Sequence, residues 1–148
     1  IKLGKKTETG DLEGKVIEEK EIPTNVLTKE YVENVLSQFV GKQSQIPPMY
    51  SAIKVNGKKL YEYARSGKKI EVKAREIEIY AIDLIEVSSK NDEITFRVHC
   101  SKGTYIRSLC EDIAEKLNTV GFMKELTRIK VRKFLHREKF KYFGNYER

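Results

Sequence analysis

The sequence has no tryptophan, two cysteines, two histidines and three prolines, and it has no long hydrophobic run. A membrane-spanning helix needs roughly 18 or more consecutive apolar residues, and the first residues also lack the apolar core of a secretory signal. The cysteines have no CxxC or metal-ligand spacing. These absences argue against a membrane span, a disulfide framework and a clustered metal site, and we expect a cytoplasmic protein.

The few residues with reactive side chains have simple structural interpretations. Cys100 and Cys110 both fall on apolar faces of predicted elements, so we expect free, buried thiols. His99 and His136 have no partner at a metal-binding or catalytic spacing, so we interpret them as structural. None of the four needs a redox or metal role.

Positive charge is abundant and unevenly distributed. The 148 residues fit one domain, and the formal net charge is +7. Residues 41–75 alone carry +7 and residues 124–148 carry +6, so the rest of the chain is acidic. Two basic segments on an acidic body favour a polyanionic partner such as nucleic acid. The alternative is that these lysines and arginines are simply solvated.

Residues 94–117 predict a strand, a tight turn and a helix. Apolar residues alternate with polar ones from Ile94 to Cys100, and Ser101-Lys102-Gly103 breaks the pattern. Thr104 is the expected N-cap of the helix. One apolar stripe follows at helical spacing, formed by Ile106, Leu109, Cys110, Ile113 and Leu117.

Arg107 falls in the first turn of this helix, where the positive end of the helix dipole disfavours a cation by a few tenths of a kcal/mol. The side chain therefore calls for an anionic partner. A surface salt bridge would satisfy it, and so would a functional site at the end of the strand.

A second informative stretch is a predicted hairpin. Asn56-Gly57 separates the apolar-polar segments 51–55 and 58–60, which is a strong signal for a two-residue turn. Tyrosines interleave here with basic residues, as expected of a surface that contacts phosphates and stacks on unpaired bases. The tyrosines could instead pack the hairpin onto the body.

The other elements are shorter. Residues 1–4 start as if in the middle of a strand, so we expect a segment before them, and residues 15–18 predict another short strand. Asp11 lies between two glycines and is expected to form an Asx turn rather than act as a catalytic acid. Thr28 should cap a helix that Gly41 ends.

Residues 70–93 predict two alternating segments, a change of phase at Ile82 that indicates a bulge or a strand buried on both faces, and a turn over 88–93. Helical spacing returns at Phe122, Leu126 and Ile129. We assign no structure to residues 136–148.

Four of these stretches resemble one family. The segment Cys100 to Arg107 is similar at all eight positions to the motif C-S-K-G-T-Y-I-R of the TruB family of tRNA pseudouridine synthases. Residues 3–14 resemble its L-G-x-x-T-x-T-G-D-x-x-G segment. Residues 45–65 resemble Q-x-P-P-x-Y-S-A-x-K with the following G-x-x-L-Y-x-x-A-R of the stand-alone bacterial type, and residues 126–128 match L-x-R. Residues 118–122 depart from its glycine-rich G-x-G-A-H.

The resemblance implies an α+β fold, with a mixed, mostly antiparallel sheet, flanking helices and an active site in a central cleft. Residues 1–148 would be part of the catalytic domain without its N-terminal half, and residues 41–69 a thumb-like insertion that grips the T-arm of tRNA. We expect no counterpart of the family's C-terminal RNA-binding domain within these residues. The implied reaction converts a T-loop uridine of tRNA to pseudouridine without metal or redox cofactor, and we expect a monomer.

The resemblance also implies residue roles. Arg107 matches the residue that pairs with the catalytic aspartate, Tyr105 the one that contacts the uracil, and Leu126 an apolar wall of the base pocket. Thr104 and Lys102 would bind substrate beside them. The implied RNA-binding residues are Lys54, Lys58, Lys59, Tyr61, Arg65 and Arg128.

The family's aspartate lies in a G-x-L-D motif, and this sequence has no such motif. Asp112 is five residues from Arg107 on the same predicted helix and projects about 500° around it, so we reject it as a substitute. We therefore expect these residues to be inactive alone, with Arg107 turned to solvent or to another acid. A non-catalytic RNA-binding module and a structural subunit completed by another chain are the alternative functions.

Overall fold

The computed structural model describes residues 1–51, 54–55, 57–67 and 72–129, with only the backbone of residue 54. Three helices are present in these residues: α1 (Lys29–Ser37), α2 (Leu60–Arg65) and α3 (Ile106–Lys116). The strands are β1 (Lys2–Leu3), β2 (Lys5–Thr7), β3 (Val16–Glu19), β4 (Gly41–Gln45), β5 (Lys54–Val55), β6 (Lys58–Lys59), β7 (Arg75–Ser88), β8 (Glu93–Cys100) and β9 (Gly121–Phe122).

Five strands form the main sheet, in the order β4-β7-β8-β1-β9, and every neighbouring pair is antiparallel. β2 and β3 form one separate hairpin, and β5 and β6 form another. A parallel bridge joins Asp11 to Met123. The predicted α+β fold with a mostly antiparallel sheet and flanking helices is confirmed.

The centre of the sheet is the hairpin of β7 and β8. Its register runs from Ile79 opposite Cys100 to Ser88 opposite Glu93, with shifts between Ile79 and Ala81 and between Leu84 and Glu86. The predicted irregularity near Ile82 is therefore confirmed, and there are two of them. Each shift adds one residue to β7, which bends a strand and increases its twist.

The core lies where α1 and α3 pack with the sheet, since α1 contacts β7 and α3, and α3 contacts β9. The predicted stripe of α3 is buried throughout, from Ile106 at 3% exposure to Leu117 at 0%. Burial of each large aliphatic side chain contributes about 1.5–3 kcal/mol. This stripe fixes the rotation of α3 and therefore the direction of its first turn.

One predicted boundary of α1 is wrong, and β4 was not predicted. Thr28 caps α1 as predicted, with its hydroxyl accepting from the Tyr31 amide at 3.2 Å. The helix, however, ends at Ser37, and Gly41 begins β4 with a φ of 114°. β4 was not predicted because its residues are polar, and its pairing with β7 places it at one end of the sheet.

Two further predictions are wrong for related reasons. The strand predicted through residue 60 ends at Lys59, and Leu60 begins α2, where it is fully buried. No helix forms over residues 122–129; Phe122 instead belongs to β9, which pairs with β1. In both places a tertiary contact of an apolar residue overrides the local pattern.

Several predictions lie outside the described residues. They concern Asn56 of the hairpin turn, the side chain of Lys54, the start of the alternation at residue 70, His136 and residues 136–148. In the part of the chain that the structure describes, no helix is both long and apolar enough to cross a membrane.

Candidate functional site

The loop from β8 into α3 is held by hydrogen bonds to the neighbouring strand. The Ser101 hydroxyl accepts from the Glu78 amide at 2.9 Å, and the Thr104 hydroxyl donates to the Ser101 carbonyl at 2.8 Å. Gly103, with a φ of 88°, makes the turn. Thr104 is therefore not the predicted helix cap: the N-cap is Tyr105, which has no side-chain cap bond.

A buried amide holds the main chain of Tyr105. The Gln45 side chain accepts from the Tyr105 amide at 2.8 Å and donates to the Tyr105 carbonyl at 3.0 Å. One residue further along, the Ser108 hydroxyl donates to the Ile46 carbonyl at 3.0 Å. Sequence reasoning missed Gln45, although its position directly before Ile46-Pro47-Pro48 in a recognised motif was a signal.

Arg107 bonds to two main-chain carbonyls from distant parts of the chain. Its guanidinium donates to Thr9 at 2.9 Å and to Tyr50 at 2.8 Å. Within the described residues it forms no salt bridge. The expectation that Arg107 turns to solvent or to another acid is therefore wrong, as is the surface salt bridge, because two carbonyl dipoles take the place of the anion.

The carbonyl of Thr9 belongs to a tight turn lying on the start of α3. Asp11 accepts from the Thr9 hydroxyl at 2.6 Å and from the Glu13 amide at 3.1 Å, so the predicted Asx turn is confirmed. Gly10, with a φ of 81°, approaches Arg107 so closely that a Cβ on it would lie 3.4 Å from the Cβ of Arg107. This turn and the segment around Tyr50 therefore flank the guanidinium.

A cavity of about 230 Å³ opens beside the start of α3. Four of the predicted site residues line it: Lys102, Thr104, Tyr105 and Arg128. Arg107 is not in its wall, although it lies two residues beyond Tyr105. Leu126 is partly buried against the core and is also not in its wall. The structure thus brings Lys102, Thr104 and Tyr105 together with one arginine that was predicted to bind RNA.

Burial raises the pKa of Cys100, which lines this cavity, and of Glu111, which lies further along α3. It raises the pKa of the Cys100 thiol, while a hydrogen bond with Thr104 and the charge of Arg128 oppose the change. Burial also raises the pKa of Glu111, which Lys6 and, more weakly, Arg107 counteract. At neutral pH Cys100 is therefore a neutral thiol in the wall of the cavity.

Asp112 lies in a different place. Burial and the neighbouring charge of Glu115 raise its pKa to about 6. It lines a second cavity with Lys6, Lys20 and Glu111. Among the described residues no salt bridge joins it to Arg107, which agrees with our rejection of this carboxyl as the arginine's partner.

The predicted hairpin is present as β5 and β6, with Gly57 in the turn at a φ of 78°. The ammonium of Lys58 lies 4.9 Å from the centre of the Tyr63 ring. Lys59 and Arg65 both lie over the ring of Tyr61, at 5.5 and 5.2 Å. The hairpin and α2 therefore present cations and aromatic rings together.

Two of the tyrosines also have structural partners. The Tyr63 hydroxyl donates to the Val55 carbonyl at 2.9 Å, and the Tyr50 hydroxyl donates to Glu8 at 2.8 Å. Tyr63 therefore holds α2 to the hairpin, and Tyr50 holds the segment before the hairpin to residue 8. Lys58, Glu62, Arg65 and Ser66 line a shallow cavity of about 520 Å³.

The expected structural roles of the cysteines and of one histidine agree with the structure. Neither Cys100 nor Cys110 forms a disulfide, and both are buried. His99 packs with Tyr80, with ring centres 4.9 Å apart. In residues 1–129, apart from the undescribed positions, no cluster of histidine, cysteine and acidic side chains could hold a metal ion.

Comparison with known proteins gives a consistent result. The family model described as TruB family pseudouridylate synthase (N terminal domain) matches residues 1–106. The tRNA pseudouridine synthase B of Oceanobacillus iheyensis is 50% identical over 134 residues, which are 90% of this chain and 44% of that protein. The tRNA pseudouridine synthase B of Clostridium perfringens is 49% identical over 138 residues, 93% of this chain and 46% of that protein.

A chain from the crystal structure of a Cbf5-Nop10-Gar1 complex superposes with a TM-score of 0.49 and 26% identity, covering 71% of this chain and 25% of that one. The chain spans less than half the length of the two curated relatives described above. The family model nevertheless matches well over half of the chain, and the motifs around Gln45 and Arg107 lie where α3 begins. The chain belongs to the TruB family of pseudouridylate synthases.

Proposed function

We propose that this chain provides the arginine and tyrosine side of a tRNA pseudouridine synthase site that acts on a T-loop uridine. The observation that carries the proposal is the cavity at the start of α3, where Lys102, Thr104, Tyr105 and Arg128 come together. Arg107 follows in the first turn of the same helix. Relatives about 50% identical are tRNA pseudouridine synthases, which supports the same substrate class. A tRNA substrate would place the reaction in the cytoplasm.

The reaction breaks the bond between nitrogen 1 of uracil and the ribose, rotates the base, and joins carbon 5 to the same ribose carbon. A proton leaves carbon 5 and one is taken up at nitrogen 1, so no electrons are exchanged and neither metal nor redox cofactor is required. The site has to hold a flipped base away from water and to position a carboxylate at the sugar.

Arg107 would orient that carboxylate. A guanidinium has five N–H donors, and the bonds to Thr9 and Tyr50 use two of them. The others can form a bidentate pair with an aspartate, which would lower the pKa of the acid and fix its direction. Because the G-x-L-D motif is not in this sequence, we propose that the carboxylate comes from outside residues 1–148, and that these residues are inactive alone.

Tyr105 would contact the uracil from the cavity wall, with Thr104 and Lys102 beside it. Arg128, exposed at the same wall, would bind a phosphate of the RNA. Leu126 packs against the core outside the cavity wall, and we propose that it borders the base once the site is complete. Because a flipped base needs an enclosed pocket, the RNA itself would close a cavity that this chain leaves open.

The segment 41–69 would be the thumb-like insertion, within a partial catalytic domain formed by residues 1–148. Lys58, Lys59 and Arg65 would pair with phosphates of the T-arm, together with Lys54. Tyr61, whose ring contacts the cations of Lys59 and Arg65, would add an aromatic contact to an unpaired base beside them. We propose that the protein binds tRNA as a monomer.

Arg107 gives the decisive test. In the complete natural polypeptide that carries this sequence, Arg107→Ala should reduce pseudouridine formation on a T-arm stem-loop by about 1,000-fold, the order of a lost group in acid-base chemistry. Binding of the stem-loop should change by less than about 5-fold. Lys116→Ala, an exposed lysine in the last turn of the same helix, is the matched control. Full activity of Arg107→Ala would refute this role.

A second candidate is a non-catalytic RNA-binding module, favoured by the cation and tyrosine cluster of the hairpin and α2. It predicts that the complete polypeptide binds the stem-loop tightly and forms no product. A structural subunit completed by another chain predicts a stable heteromeric particle, which mass measurement of the purified protein would reveal.

A further inference from the structure

The side-chain amide of Gln45 bonds to Tyr105 in the way that the main chain of a neighbouring strand would. One side-chain amide accepts from the N–H of Tyr105 and donates to the C=O of the same residue, at 2.8 and 3.0 Å. The two residues are 60 positions apart in the chain. Since both the donor and the acceptor of one residue are held, the main chain at Tyr105 cannot rotate without breaking at least one bond.

Burial makes this contact energetically important. Gln45 is 3% exposed, and a buried amide group that loses its hydrogen-bond partners destabilises the folded protein. Tyr105 is the N-cap of α3 and receives no cap bond from its own side chain. Gln45 therefore fixes the N-cap residue from β4 through that residue's own N–H and C=O, whereas a capping side chain would accept from the N–H groups further into the helix.

The same segment of chain continues into the hairpin. Gln45 ends β4, and the next residues receive two further bonds from α3: the Ser108 hydroxyl on the Ile46 carbonyl and the Arg107 guanidinium on the Tyr50 carbonyl. Residues 45–50 thus lie against the first turn of α3 and lead directly to β5, β6 and α2, which carry the basic residues of the thumb.

We propose that Gln45 is a positioning residue for the reaction: its amide fixes Tyr105 in the cavity and joins the base of the thumb to the modification site. It touches no reacting atom. This role rests on the proposed function. It makes the orientation of Tyr105 depend on residues 45–50, which connect α3 to the thumb that would bind the T-arm.

The test compares Gln45→Met, which keeps the length and removes both bonds, with Gln43→Met on the same strand. Gln43 donates to the Phe39 carbonyl at 2.7 Å and has no bond to α3, so it is a matched control. In the complete natural polypeptide, Gln45→Met should lower the single-turnover rate on a T-arm stem-loop by about 10- to 100-fold, the size expected from misplacing a group in the site. The stem-loop Kd should change by less than about 3-fold.

Gln45→Glu provides a readout that a purely structural role would not move. A protonated carboxyl has one acceptor and one donor, as the amide has, whereas the carboxylate has no donor for the Tyr105 carbonyl. The rate of this variant relative to wild type should therefore rise as the pH falls, because protonation restores the lost bond. Hydrogen exchange at the Tyr105 amide should be faster in Gln45→Met and unchanged in Gln43→Met.

The outcomes separate the two proposals. A wild-type protein that forms no pseudouridine would overturn the proposed function, and this role with it. An active wild type with equal single-turnover rates in Gln45→Met and Gln43→Met would overturn the role of Gln45 alone. The role of Gln45 would also be overturned if the rate of Gln45→Glu relative to wild type did not change with pH. A Gln45→Met variant that loses stem-loop affinity and rate to the same extent would overturn it as well.

Discussion

The surroundings of Asp112 raise the pKa of its carboxyl group. Its pKa rises from an ordinary 3.8 to about 6, through burial first and the charge of Glu115 second. Between these two pH values the folded protein holds a proton that the unfolded chain has lost. The free energy of unfolding contributed by this group therefore falls as the pH rises from about 4 to about 6, and it is constant outside that window.

Asp112→Asn should consequently stabilise the protein near pH 7 and have little effect at pH 4. Because the carboxyl is only partly buried, we expect a gain of about 1 kcal/mol rather than the full value of the pKa shift. Urea unfolding followed by circular dichroism across this pH range measures it. Asp83→Asn, at an exposed position of β7, is the control. An equal gain from Asp112→Asn at pH 4 and pH 7 would contradict this explanation.

The position of Arg107 could be predicted from the sequence, whereas its partners could not. Helical spacing places it in the first turn of α3, as observed. Its two acceptors are main-chain carbonyls 98 and 57 residues away, and carbonyls have no sequence signature. Gln45 is a different case: its place in the motif before Ile46-Pro47-Pro48 marks it in the sequence, but its burial and its bonds to Tyr105 follow only from the fold.

Helices and strands were predicted correctly where the spacing of apolar residues reflects their burial in the core. β8 and α3 were predicted because apolar residues recur at the strand and helix periods and face one core. β4 was missed because its burial pattern comes from the sheet edge and from contacts to α3 rather than from apolar residues. α2 was missed because six residues are too few to show a helical period.

The hairpin of β5 and β6 depends on one backbone conformation. Gly57 has a φ of 78°, which costs a β-branched residue roughly 1–2 kcal/mol and an asparagine much less. Gly57→Val should therefore distort the turn and weaken T-arm binding by about 5- to 20-fold, while Gly57→Asn should bind nearly as wild type. Fluorescence anisotropy with a labelled stem-loop measures both. Equal affinities of the two variants would show that the turn conformation does not matter for binding.

For the whole molecule, the distribution of charge is more informative than its total. Residues 41–75 carry +7 and residues 124–148 carry +6 of a net charge of +7, so the rest of the chain sums to −6. Long-range attraction would bring RNA to those segments, and the acidic parts would keep it from binding elsewhere. Composition predicted this asymmetry, but only the fold places Arg128 in the same cavity wall as Lys102 and Tyr105.

If the lysines of the hairpin bind RNA phosphates, the affinity for RNA must fall with salt concentration by an amount that depends on the number of phosphate contacts. Each phosphate contact contributes about 0.7–0.9 to the slope of log K against log salt concentration. Lys58→Ala combined with Lys59→Ala should reduce that slope by about 1–2 and weaken binding most at low salt. The control pair, Lys29→Ala with Lys90→Ala, removes two exposed lysines elsewhere and should leave the slope unchanged. A slope that both pairs reduce equally would mean that net charge, rather than the hairpin, attracts the RNA.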